Sequence, residues 1–144
     1  MSTIESLRKA QIFSNLSQDE LERIAALSQQ RVYPKGGIIL SEGETSRELF
    51  IIEKGMVEVS LTMAGDTPTP LVNLGAGQVV GEMTLVDRGA RSATVKAMHD
   101  ETVLNAIPHK DFLKLCEEDN HIGFVVMRNL AAEMSLRLRY HNIA

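Results

Sequence analysis

Tryptophan is absent from this 144-residue chain, which has only two Tyr, four Phe, four Pro and one Cys. The lone Cys116 excludes an internal disulfide framework and cannot by itself build a zinc or iron–sulfur centre. The shortage of aromatics removes the stacking platforms on which single-stranded nucleic acid is held. Positive charge is short as well: 15 Lys and Arg against 19 Asp and Glu leave a net charge of −4, the wrong sign for a non-specific binder of phosphate backbones. No apolar run approaches the roughly 20 residues of a membrane helix. The opening MSTIESLRKAQIF lacks the basic start and apolar core of a signal peptide. Histidines are missing where a metal-binding β-barrel needs them. His99, His109, His121 and His141 all come late, and stretch 29–97 has none, so a cupin-type metal site has no ligands. No nucleophile motif accompanies Cys116 or any Ser. What remains is a soluble, reducing-compartment single domain spanning residues 1–144, large enough to bury a core and expected to be cytoplasmic and non-enzymatic, to hold no metal and to enter no membrane.

The residues that are present divide into three textures. Positions 1–28 read helical: Ser17-Gln18-Asp19-Glu20 is a capping box, and Leu21, Ile24 and Leu27 follow as an apolar stripe. Ile12, Phe13 and Leu16 form a shorter helical or turn segment before it. From 29 to 108, short runs rich in Ile, Val and Thr alternate with Gly-containing turns. Strands are predicted near 29–33, 37–41, 48–53, 56–62, 70–74, 92–97 and 102–107, with Pro68 and Pro70 marking a loop or sheet edge. Short strands at this spacing indicate an antiparallel sandwich or barrel. From 109 to 144 the pattern is helical again, with one helix over His109–Cys116 and a longer one from Asp119 or Asn120 to about Tyr140. In the long helix Phe124, Met127, Ala131, Met134 and Leu138 alternate in spacings of three and four, a heptad seam that suits packing on the chain's own β-region or on a second copy.

Residues 80–95, VGEMTLVDRGARSATV, carry the chemistry. Gly81 allows a positive-φ turn or a close backbone approach. Glu82 to Leu85 spans one helical turn whose free N–H groups, those near Met83 and Thr84, suit an anion. Arg91 stands at the mouth of the next strand with the hydroxyl of Ser92 beside it, and a guanidinium fork matches two phosphate oxygens at once. Glu82 supplies an acceptor for sugar hydroxyls. Phosphate plus ribose points to a nucleotide.

Gly81-Glu82, the short turn and Arg91-Ser92-Ala93 resemble the phosphate-binding cassette of cyclic-nucleotide-binding domains, the family of bacterial catabolite activator proteins, protein kinase A regulatory subunits and cyclic-nucleotide-gated channels. The Pro-Lys-Gly turn at 34–36, the turn at 42–44 and Phe50-Ile51-Ile52-Glu53-Lys54-Gly55 resemble that family's strand signatures, so the likeness covers about residues 12–142. It implies a mainly β fold: an eight-stranded antiparallel β-roll, or double-stranded jelly roll, with N-terminal helices and two C-terminal helices. It also implies that Glu82 binds the ribose 2′-hydroxyl and that Arg91, Ser92 and the backbone near Met83 and Thr84 bind the cyclic phosphate. The final helix then closes over the base, which brings Arg137, His141 and Asn142 toward it, and the cassette favours cAMP over cGMP. Activator proteins continue into a DNA-reading helix-turn-helix; this sequence stops at Ala144, so DNA binding is not expected of it, and it is either a freestanding sensor or a fragment. A homodimer through the 120–142 helix, or a separate effector protein, would carry the output. The alternative is a β-roll that keeps the shape and serves only dimerisation or protein interaction.

Overall fold

Ser17 opens a helix as its capping box predicts: its hydroxyl accepts from Glu20 N at 3.1 Å, and the Glu20 carboxylate accepts from Ser17 N at 2.9 Å. In the computed structural model, which describes residues 2–41, 43, 47–61, 67, 69–82, 85 and 93–141, that helix is α2 (Gln18–Ala25). It follows α1 (Thr3–Lys9) and a 3-10 turn at Gln11–Phe13. The strands are β1 (Gln29–Tyr33), β2 (Ile38–Leu40), β3 (Glu48–Lys54), β4 (Val57–Leu61), β5 (Thr69–Leu74), β6 (Val79–Val80), β7 (Thr94–Ala97) and β8 (Thr102–Pro108). Helices α3 (His109–Glu118) and α4 (Asn120–His141) close the chain. Among the described residues the strands form two four-stranded sheets, β1-β8-β3-β6 and β2-β7-β4-β5, with antiparallel pairing throughout. This is the expected antiparallel β-roll. Seven of its strands follow the predicted spans. The eighth, β6, is two residues long and too short to carry an alternation.

Two apolar clusters meet at β3. Phe50 and Ile52 face the roll interior with Ile39, Leu40, Val57, Val80, Val95, Leu104 and Ala106. Leu49 and Ile51, on the opposite face, join Leu7, Phe13, Leu21, Ile24, Phe112, Ile122 and Val126 beneath the helices. Because both faces are covered, Leu49-Phe50-Ile51-Ile52 reads as a continuous apolar run rather than an alternation. A bulge in the β3–β8 pairing between Ile52 and Lys54 falls at Glu53. The Glu53 carboxylate accepts from Asn105 Nδ2 at 3.0 Å and Gln30 Nε2 at 3.1 Å, and lies 3.2 Å from the Thr3 hydroxyl. Asn105, fully buried, also donates to Ser6 Oγ at 3.2 Å, so α1 docks on the sheet through a satisfied polar network. Arg31 grips Glu48 with both terminal guanidinium nitrogens, at 2.8 and 2.6 Å.

The heptad seam of α4 does not survive as one face. Its core-facing row is Ile122, Val126 and Leu130, with Met127 and Met134 packed at the margin. Phe124 and Leu138 are exposed, as is Leu136, and Ala131 is exposed with them. The exposed positions 124, 131 and 138 and the packed positions 127 and 134 are each seven apart, so the core row takes one edge of the seam and leaves the other to solvent. Between α3 and α4, Gly123 approaches the chain so closely that a Cβ there would sit 2.6 Å from the Cys116 carbonyl oxygen. Asp119 caps α4, its Oδ1 accepting from His121 N at 3.0 Å and Ile122 N at 3.2 Å.

Candidate functional site

The corner that begins the predicted cassette is built by the end of β6. Val79 and Val80 pair with Ile51 and Phe50 of β3, and Val80 plugs into the roll interior. The chain then turns at Gly81, whose φ of +88° lies in the region that a side chain disfavours. Glu82 follows with only 7% of its surface exposed. Leu85 N donates to Glu82 O at 3.1 Å, a bond between residues three apart, and Leu85 is buried in the cluster beneath the helices. The turn is thus pinned on both sides: Val80 in the roll core, Leu85 in the helix core.

Of the predicted binding residues, the structure describes the consecutive pair Gly81 and Glu82. Met83, Thr84, Arg91, Ser92 and Asn142 lie outside the described residues. Position 137 lies in the last turns of α4 and position 141 ends it; with Leu130 and Met134 they fall at spacings of four, three and four along the helix. β7, which Arg91 and Ser92 precede, pairs with both β2 and β4. A buried carboxylate in this position favours ligand hydroxyl donors more strongly than it would in open water, because screening there is weaker.

One residue at this corner escaped sequence reasoning. His109, the first residue of α3, is 3% exposed, and its Nε2 lies 3.1 Å from the Gly81 carbonyl oxygen. Its backbone N–H is bonded to Arg47 O at 2.9 Å. A histidine that follows a proline has no sequence signal of such a role; only the meeting of β6 with the start of α3 reveals it.

A histidine–carboxylate hydrogen bond and an ion pair bind α2 to the junction of α3 and α4. His121 Nδ1 meets Glu20 Oε2, and Arg23 meets Asp119. The backbone N–H of Ser17, followed by His121, holds the Glu20 carboxyl below its ordinary range. Arg23 does the same to Asp119, with the capping N–H of Ile122 second. Cys116 goes the other way: burial above all, then the charges of Asp119 and Glu117, push its thiol up to about 11, far from a thiolate nucleophile at neutral pH. Among the described residues no group of three or more His, Cys, Asp or Glu is arranged to hold a metal ion, and no helix is long and apolar enough to cross a membrane.

The comparisons with known proteins agree with this fold. The Cyclic AMP receptor protein of Thermus thermophilus is 33% identical over 133 residues, which cover 92% of this chain and 59% of that protein. The crystal structure of the Thermus thermophilus Catabolite Activator Protein superposes with a TM-score of 0.83 at 33% identity, over 93% of this chain and 61% of the other. The cGMP-dependent protein kinase 2 of Homo sapiens is 32% identical over 107 residues, 74% of this chain and 14% of the kinase. The chain therefore spans less than two thirds of the length of these relatives. The family profile described as Cyclic nucleotide-binding domain matches residues 30–119, a stretch that runs from β1 through the Gly81–Glu82 corner to the end of α3, and on that match the chain belongs to the cyclic nucleotide-binding domain family.

Proposed function

We propose that residues 1–144 act as one cytoplasmic sensor module that binds cAMP in preference to cGMP and catalyses no reaction itself. Glu82 accepts a hydrogen bond from the ribose 2′-hydroxyl. Arg91 pairs with the cyclic phosphate, with Ser92 and the backbone N–H groups of Met83 and Thr84 completing the cradle. Arg137, His141 and Asn142, late in the chain, meet the base. The observation that carries this reading is the Gly81–Glu82 corner, a positive-φ glycine followed by a buried carboxylate, inside the family-matched segment. Cyclic AMP is named by the receptor relative and cGMP by the kinase relative; the likeness to the receptor covers more of this chain and favours cAMP.

A thermal melt tests it. A ligand at 100 times its Kd adds about 2.7 kcal/mol to the folded state, which for a chain of this length raises Tm by roughly 5–11 °C. The rise is expected with cAMP, to a smaller extent with cGMP at equal concentration, and not with linear 5′-AMP. No shift with millimolar cyclic nucleotide overturns the reading.

A second reading is favoured by the exposed Phe124, Leu136 and Leu138 of α4, each more than half exposed. Such side chains on one helix suit a homodimer through 120–142 or an effector protein that receives the signal. In its strong form this reading needs no nucleotide at all. Sedimentation with and without cAMP separates the forms: a ligand-dependent change in mass joins dimerisation to sensing, and a dimer indifferent to ligand with no thermal shift supports interaction alone.

A further inference from the structure

We infer that His109 is the positioning residue of the ribose arm: it fixes the Gly81–Glu82 peptide so that Glu82 is presented to the sugar. The inference rests on the proposed role of Glu82 and extends it to a residue on another element. The carbonyl of Gly81 belongs to the peptide that enters Glu82, so whatever holds that oxygen sets the rotation of the peptide plane and the direction in which Glu82 leaves the turn. Gly81 cannot hold it unaided, because a glycine at positive φ has the widest backbone freedom of any residue. The Leu85 N–H to Glu82 O bond acts one peptide later. His109 Nε2, at 3.1 Å, is placed to do it.

A carbonyl oxygen only accepts, so Nε2 must carry a proton and donate. The donor is itself rigid. His109 is buried, stands at the first turn of α3, and has its own N–H tied to Arg47 O just ahead of β3. The start of α3, the entry to β3 and the end of β6 therefore meet at one residue, through its backbone N–H and its ring, and a displacement of α3 is felt at Glu82 without passing through the phosphate cradle.

The chemistry selects the substitutions. A glutamine places its N–H₂ where Nε2 of histidine stands, whereas an asparagine places it near Nδ1 and falls short of Gly81. Binding of cAMP and of 2′-deoxy-cAMP is measured for wild type, H109N and H109Q by titration calorimetry. Loss of one positioning hydrogen bond predicts about a 5- to 10-fold weaker Kd of H109N for cAMP. For 2′-deoxy-cAMP, which has no hydroxyl for Glu82, the change stays under about twofold, and H109Q returns cAMP binding to near wild type. H109N that binds cAMP like wild type, or that loses both ligands equally, overturns the assignment while leaving the sensor reading intact. A wild-type chain that binds neither ligand overturns the sensor reading and this inference with it. Should H109N not fold, the ¹⁵N shifts of the His109 ring in the wild-type protein still decide: a protonated Nε2 with a detectable hydrogen bond is expected, and a bare Nε2 refutes the inference.

Discussion

At the scale of the residue, the proposed site divides its work between charge and hydrogen bonding, and the two halves respond differently to substitution. Arg91 would neutralise a phosphate with a charge-assisted fork, a contact whose loss costs about 2–3 kcal/mol. Arg91→Ala is therefore expected to weaken cyclic nucleotide binding roughly 30- to 150-fold, for ribose and 2′-deoxyribose ligands alike, with Tm of the apo protein little changed. Glu82→Gln keeps the side-chain volume and an acceptor but removes the charge. It is expected to cost less, and to bring the affinities for cAMP and 2′-deoxy-cAMP closer together. Isothermal titration with both ligands checks both variants; an Arg91→Ala protein that binds as tightly as wild type contradicts the cassette assignment. Glu82 and Arg91 could be nominated from the sequence because a carboxylate, a glycine and a guanidinium at fixed separation answer a definite chemical demand. His109 could not. Its proposed role comes from where its ring ends up, and nothing in Ile107-Pro108-His109 distinguishes it from any buried histidine.

At the scale of the element, the short helix α2 matters beyond its own length. Two of its side chains hold the break between α3 and α4: Glu20 on His121, Arg23 on Asp119. Both carboxyls sit below their ordinary range in the folded chain. A carboxyl whose folded value is depressed contributes stability above its unfolded value near 4, and loses that contribution as pH falls through the folded value. Acid should therefore open this clasp first. Chemical denaturation between pH 7 and pH 3 is expected to show stability falling below about pH 5, with Glu20→Gln and Asp119→Asn each less stable at pH 7 and flatter across that window. A wild-type slope retained in both variants would place the acid sensitivity elsewhere. The clasp is also a measure of what pattern reading reaches. The capping box of Ser17 and Glu20 was visible because it is local, and α2 starts where it says. The partnership of Glu20 with His121 spans 101 positions and had no local trace. The same contrast explains β6, whose two residues are a strand only because β3 lies beside them, and the α4 seam, whose spacing was read correctly but whose faces are assigned by what packs against them.

At the scale of the whole molecule, the two cores give the proposed ligand site a route to the helices. β3 contributes to both clusters, and the cassette reaches the helix core directly through Leu85, which shares its cluster with Phe112, Ile122 and Val126. Ligand that orders the Glu82–Leu85 turn would stabilise the seat of Leu85, and with it the position of α3 and α4 over the roll. A helix is suited to be the moving part because it carries its own backbone hydrogen bonds and can shift as a body, whereas a strand cannot leave its sheet without breaking ladder bonds. The solvent-exposed surface of α4, with Phe124 and Leu138 on one side and Leu136 on another, would then be displaced with the helix, a change that a partner or a second copy can read. Leu85→Ala separates this route from binding itself. Truncating a buried leucine costs about 2–5 kcal/mol, so the variant should melt lower. The more telling expectation concerns hydrogen exchange. In the wild type, cAMP should slow exchange both in the Glu82–Leu85 turn and across the first turns of α4. In Leu85→Ala, protection should persist beside the ligand and vanish from α4. Protection of α4 that survives the truncation would mean that the signal passes through the base-facing end of the helix, at positions 137–142, and not through the shared core.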